Sequence, residues 1–346
     1  MPVCGPGTPP SEDVVRNRIL LLPAAVIVLG VAFLAGFQVY LERWSTEPLP
    51  VADETVFIVE PDSPFSTLAR MLDERGVANR WLFSQLAQKL GLQTAVQSGE
   101  YRVAPGETPR GLLGRLTRGD VVRHRLLIVE GSTVAALLKG LKADSRIEFD
   151  LAGVARTDLM EHLGLPRDDP EGRFFPDTYQ FERGHKASSL LRRANHRMKT
   201  VLEECWSGRD RDTTLRTSDE ALTLASIIEK ETGHAEDRPR VAGVFVRRLA
   251  KGWRLQSDPT VIYGLGSAFG GKLTKAHLAE SGNEYNTYRH YGLPPTPIAL
   301  PGRAAIEAAL HPADGDELYF VSRGDGTSEF SVELEDHNRA VRRYQR

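Results

Sequence analysis

The run Ile19 to Leu41, ILLLPAAVIVLGVAFLAGFQVYL, holds 23 residues and not one charge. A bilayer's hydrocarbon layer is ~30 Å thick, and a helix rising ~1.5 Å per residue crosses it in ~20 residues. The run therefore reads as a single membrane-spanning helix. Arg16 and Arg18 precede it, Arg43 alone follows closely, and Tyr40 and Trp44 suit an interfacial aromatic belt. The positive-inside rule then places residues 1–18 in the cytoplasm and everything after the span outside it. The alternative is a cleaved signal peptide. Its apolar region usually spans ~7–15 residues, and the small-residue pair Gly30/Ala32 would cut this run in its middle. With the helix retained, Cys4 and Cys205 lie on opposite sides of the membrane and cannot pair.

Outward from the anchor, composition bounds the rest. A chain of 346 residues suggests about two domains. Its 41% apolar content is enough for a packed core and excludes a disordered or fibrous protein. Lys+Arg number 44 against 46 Asp+Glu, so no basic surplus points to nucleic acid. Two distant cysteines without a CxxC exclude disulfide scaffolds, zinc ribbons and iron–sulfur clusters.

Residues 51–144 carry a rough threefold pattern of strand, turn and helix. FIVEPDSP from Phe57 leads to Leu68, Met71 and Leu72. YRVAPGETP from Tyr101 leads to Leu112, Leu113 and Leu116, and LIVEGST from Leu127 leads to Leu137, Leu138 and Leu141. Ser63 and Thr108 suit helix capping, with Pro64 and Pro109 at the first helical position. A further helix is expected over residues 80–90. Paired β-α units of this kind resemble the glycan-binding LysM type; a plain spacer is the alternative. The looser stretch 142–169 marks an expected boundary. The layout expected is a tail (1–18), a span (19–41), a LysM-like β/α subdomain (45–144) and an α+β catalytic domain (150–346).

Chemistry concentrates in the second half. EGRFFPDTY (171–179), LASIIEKET (224–232), LQSDPTVIYG (255–264), YNTY (285–288) and GLPPTPIA (292–299) mix aromatics, carboxylates and amides on Pro/Gly-rich loops. That is the composition of a carbohydrate cleft. A helix is expected from about Asp219 to Thr232, with a Thr217/Glu220 capping box and Gly233 as its stop. Glu231 continues the apolar stripe of Leu224, Ile227 and Ile228, whereas Glu229 falls on a different face. Apolar surroundings and the negative helix end both raise a carboxyl's pKa. A carboxylic acid protonated near neutrality is what a glycosidic general acid must be. The competing reading is a solvated Glu-Lys-Glu cluster. Asp258 reads as a turn residue or as a second carboxylate. HExxH, P-loop, GxSxG and GxGxxG motifs are absent from the sequence, and its histidines lack metal-ligand spacing.

Taken in order behind one anchor, EGRFFPDTY, LASIIEKET, LQSDPTVIYG, YNTY and GLPPTPIALPG resemble the endolytic murein transglycosylase family (YceG-like). The resemblance runs from about Thr55 to the C-terminus. It includes the hairpin LYFV (318–321) to Phe330 and the run EDHN (335–338). It implies cleavage of the β-1,4 bond between N-acetylmuramic acid and N-acetylglucosamine within a strand, leaving a 1,6-anhydro-muramyl end. Strand termination or trimming would be the purpose. It implies no cofactor and no metal, and a single-pass location in the bacterial cytoplasmic membrane with the catalytic part outside. Peptidoglycan glycan strands would be the substrate, with peptidoglycan synthases (penicillin-binding proteins) as candidate partners. The family's catalytic glutamate falls on Glu231. Gln256, Asp258, Thr260, Asn286 and Tyr288 are candidate substrate-binding residues, with Glu229 as a supporting partner. Many members carry a His shortly before the last hairpin's Phe; here Thr327, Ser328 and Glu329 stand there, so that role does not transfer. The rival classes are a wall-binding scaffold, a hydrolytic muramidase and a pyridoxal-phosphate lyase. The last needs a cytoplasmic lysine site, against which the anchor argues.

Overall fold

The computed structural model describes residues 12–210 and 213–344; Cys4 and the start of the tail lie outside them. The fold is mixed α and β, in two compact units, Met1–Val122 and Arg123–Arg346.

The first unit opens with α1 (Glu12–Thr46), one unbroken helix through the apolar run. The stretch Ala25–Thr46 is long and apolar enough to cross a membrane. From Ala25 to Gly36 every side chain is exposed; from Phe37 onward one face packs, with Leu41 and Ser45 buried. Strand β1 (Thr55–Val59), helices α2 (Phe65–Glu74) and α3 (Arg80–Lys89), and strand β2 (Gly99–Val103) follow. The strands pair antiparallel with Phe57 opposite Tyr101, their rings stacked 5.9 Å apart. Alternation explains this: Phe57 and Val59 are buried while Val56 and Ile58 face out. Helix α4 (Pro109–Arg118) completes the unit, and its Leu112, Leu113 and Leu116 join Leu41, Phe57, Phe83 and Tyr101 in one core.

Local signals account for the helix ends. The Asn79 side chain accepts from the Trp81 and Leu82 N–H groups, and Thr108 accepts from Gly111 N–H ahead of Pro109. Gly119 closes α4 in the left-handed region, at φ 71°. The expected Ser63 cap does not form. Helix α2 starts one residue later, and Pro64 occupies the capping position with no side-chain bond.

The second unit runs β3 (Arg123–Leu127), α5 (Val134–Ala143), β4 (Ile147–Glu148), α6 (Leu159–His162), β5 (Thr178–Glu182), β6 (His185–Lys186) and the long α7 (Ala187–Ser207). Then come α8 (Ser218–Glu231), α9 (Asp237–Ala250), α10 (Asp258–Leu265), α11 (Lys275–Ala279), α12 (Arg303–Leu310), the hairpin β7 (Tyr319–Ser322) and β8 (Ser328–Ser331), and α13 (Leu334–Tyr344). β3 pairs antiparallel with β5, β4 parallel with β6, and β7 antiparallel with β8.

The third strand–turn–helix repeat thus packs away from the other two. Its Ile128, Val134 and Leu141 share a core with Phe174, Tyr179 and Leu191. The reason is a long-range pairing: β3 finds its partner some fifty residues later, where periodicity gives no warning. A second core joins α8, α9 and α12 through Leu224, Ile227, Phe245 and Ile306.

Candidate active site

Glu231 ends α8. Thr217 accepts the Glu220 N–H at 3.1 Å and fixes the helix start. Leu222, Leu224, Ile227 and Ile228 are fully buried, which locks the helix in rotation and puts Glu231 at the rim of the core. At Thr232 the chain turns extended, so the helix stops there rather than at Gly233.

The carboxyl of Glu231 meets the loop before α10, where the Ser257 hydroxyl donates to its Oε1 at 2.5 Å. Burial pushes this carboxyl up to about 7; the Ser257 bond pulls against that, and the Asp258 charge adds to it. Glu229 points elsewhere. Its Oε2 accepts the Gly302 N–H at 3.0 Å ahead of α12, and Arg238 lies 4.0 Å from its Oε1. Two residues apart on one helix, the glutamates serve different surroundings.

Two loops are zipped together beneath Glu231. Gln256 N–H donates to the Thr287 carbonyl at 3.1 Å, and Ser257 N–H to the Thr287 hydroxyl at 2.9 Å. The Thr260 hydroxyl donates to the Ser257 carbonyl at 2.7 Å and sits 2.9 Å from the Thr287 hydroxyl. Gln256 takes φ 56°, the left-handed region that non-glycine residues rarely adopt. The strain presents Ser257 to Glu231 and sends Gln256 into a cleft of about 450 Å³. Glu231, Arg248, Gln256, Asp258, Tyr288 and Tyr319 are among its walls.

Of the sequence candidates, Glu231, Gln256, Asp258 and Tyr288 come together there. Asp258 does not cap its own helix; its carboxylate accepts the Tyr288 hydroxyl at 2.7 Å. Thr260 and Asn286 do not line the cleft. Both are fully buried. The Asn286 amide donates to the carbonyls of His277, Leu278 and Glu280, and its Oδ1 accepts the Tyr288 N–H. It frames the loop that carries Tyr288. Asn286→Ala is therefore expected to act on stability, costing about 2 kcal/mol for the buried groups left unpaired. That lowers the melting temperature by roughly 4–8 °C in a unit of this size, as a thermal melt would show.

EGRFFPDTY also builds the fold rather than the cleft. Phe174 and Phe175 are core residues, and buried Glu171 accepts from Val134 N–H and from the Tyr263 hydroxyl, each at 2.9 Å. At Gly172, φ is 77° and a Cβ would lie 2.7 Å from Pro297, so glycine lets this turn close on the TPIALPG loop.

Arg248 escaped the sequence reading, and His337 entered it only within EDHN, with no role. Buried Arg248 donates through Nε to the Leu318 carbonyl at 2.7 Å and through Nη1 to the Leu255 carbonyl at 2.6 Å. A signal existed: Arg248 continues the stripe of Val241, Val244 and Phe245, the same anomaly that marked Glu231. His337, on α13, stacks against Tyr319 at 5.2 Å, and burial holds its pKa below the ordinary value. Its Nδ1 is buried without a hydrogen-bond partner. A separate hollow of about 580 Å³ contains Cys205 and Arg303. Burial pushes the Cys205 thiol up, away from the thiolate a nucleophile needs. Among the described residues no group of His, Cys, Asp and Glu is arranged to hold a metal.

A YceG-like family profile matches residues 57–343. A Bacillus subtilis protein named endolytic murein transglycosylase is 27% identical over 343 residues, covering 92% of this chain and 91% of its own. A Streptococcus pneumoniae protein of the same name is 29% identical over 307 residues, covering 78% of this chain but 54% of its own. A crystal structure of a YceG-like protein from Listeria monocytogenes superposes with a TM-score of 0.53 at 27% identity, over 83% of this chain and 99% of that one.

Proposed function

Because the chain belongs to the YceG-like family, we propose that it is a peptidoglycan lytic transglycosylase that cuts inside glycan strands, with Glu231 as its only acid–base group. The observation that carries this reading is the Glu231 carboxyl, raised to about 7 at the wall of a polar cleft. With Ser257 holding Oε1, Oε2 is left to carry the proton. Glu231 protonates the oxygen between the muramyl C1 and the next sugar's C4, and that C1–O bond breaks. The resulting carboxylate then takes the proton from the muramyl 6-hydroxyl as O6 bonds to C1. The proton given stays on the released C4 hydroxyl, the proton regained comes from O6, so Glu231 ends as it began and no water enters. The substrate's N-acetyl group supports the charge at C1 between the two steps. Gln256, Asp258 and Tyr288 position the sugars, while Thr260, Asn286 and Thr287 hold their loops.

A hydrolytic reading has one observation in its favour, since Asp258 shares the cleft and paired carboxylates are the usual hydrolase equipment. Mass spectrometry of products from uncrosslinked strands decides between them. Ends one water lighter than the hydrolysed mass are expected; hydrolysed ends would overturn the transglycosylase reading.

The first unit is read as a membrane-proximal module with LysM-like character, supported by its β1–α2–α3–β2 order. The apolar helix is read as a retained anchor with the N-terminus inside. What supports retention is that the end of the helix, through Phe37, Leu41 and Trp44, belongs to the first unit's packing. Peptidoglycan synthases are the partner class this reading suggests, with strand termination or trimming as the outcome.

A further inference from the structure

The stretch of α1 exposed all round ends at Phe37, where one face begins to pack, and that residue is not alone there. Its ring lies 5.0 Å from that of Trp81, the second residue of α3. Trp81 is 57% exposed although tryptophan is the largest apolar side chain a protein can bury. Eight residues further along α3, Lys89 pairs with Glu42 of α1 at 2.9 Å. The two contacts order the helices: the start of α3 lies beside Phe37 and its end beside Glu42, further along α1.

Depth follows from length. The apolar run begins at Ile19. Twenty or so residues at ~1.5 Å each fill ~30 Å of hydrocarbon, which brings the outer border to about Phe37. The helix continues to Thr46 without a break, so no linker lifts the first unit away. Trp81 is thereby held at the level where hydrocarbon meets headgroups. An indole, apolar in body with one N–H donor, is favoured at that boundary.

We propose that the first unit docks on the lipid surface through the start of α3, with Trp81 seated at the headgroup border beside Phe37. The inference rests on α1 being a retained anchor and adds a second, peripheral membrane contact to it.

The test uses the full chain reconstituted into phosphatidylcholine/phosphatidylglycerol vesicles, with and without phosphatidylcholine brominated on its acyl chains near the headgroup. A variant keeping Trp81 as its single tryptophan is compared in the two vesicle types. Its emission is expected to fall by about half in brominated vesicles, as for an interfacial indole. Should Trp44→Phe loosen the core, the quenching lost between the native chain and Trp81→Phe reports the same quantity. Alkaline carbonate extraction is run alongside. Protein that resists extraction but shows unquenched Trp81 would overturn the docking while leaving the anchor intact. Protein released by carbonate would overturn the anchor, and the docking with it.

Discussion

Glu231→Gln is expected to lower turnover on purified glycan strands by at least ~10²–10⁴-fold, the usual contribution of general acid–base catalysis. The amide keeps the shape and can still accept the Ser257 hydroxyl, but it has no proton to lend. Glu229→Gln, whose carbonyl oxygen can still take the Gly302 N–H, should leave turnover near that of the native chain. Near-normal turnover in the first variant and loss in the second would reverse the assignment. The pH profile is a second check. The acid must begin protonated, so the rate should decline as pH rises through about 7. Stability carries the same sign. The folded carboxyl titrates above an unfolded one, at ~4.3, so the folded state holds the extra proton between these values. Its contribution is complete below about pH 4.3 and lost as pH rises through about 7. Glu231→Gln should therefore melt higher than the native chain at pH 8, with the gap closing towards pH 4.

The second large effect concerns where the second unit begins. A chain starting at Asp150 is expected not to fold, whereas one starting at Arg123 should fold and retain cleavage of soluble strands. Starting at Asp150 removes β3, the partner of β5 over five residue pairs. It also removes Ile128, Val134, Leu137 and Leu141 from the core around Phe174, and it takes the Val134 N–H from buried Glu171. Each large apolar side chain lost from a core costs ~2–5 kcal/mol, and a whole domain's stability is ~5–15 kcal/mol. Circular dichroism of the two chains distinguishes the outcomes. A cooperative melt from the Asp150 chain would show that α5 is dispensable.

These two expectations mark how far the sequence could be read. Glu231 was legible because helical periodicity is local: a carboxylate on the Leu224/Ile227/Ile228 stripe is an anomaly within one segment. The Thr108–Pro109 helix start was legible because capping is local too, whereas the last hairpin, with Phe320 opposite Phe330, is expected only from the family resemblance. The place of β3 was not, because strand pairing is settled between distant segments. Nor could loop composition separate use from support. Thr260, Asn286 and Tyr288 belong to similar motifs, yet only Tyr288 reaches the cleft; which way a loop side chain turns depends on partners such as Thr287. Ser257 lies inside LQSDPTVIYG but carries no pattern of its own.

Gln256 shows what this division means for the residue types its position can hold. The left-handed backbone there disfavours most side chains by about 1 kcal/mol, and β-branched ones by more. Glycine would relieve that strain but add a similar entropy to the unfolded chain, roughly 0.5–1 kcal/mol. The two effects nearly cancel, so a melting curve would hardly register the exchange, although the cleft would lose its amide. Stability alone therefore does not distinguish glutamine from glycine at position 256; the difference between them falls on the cleft.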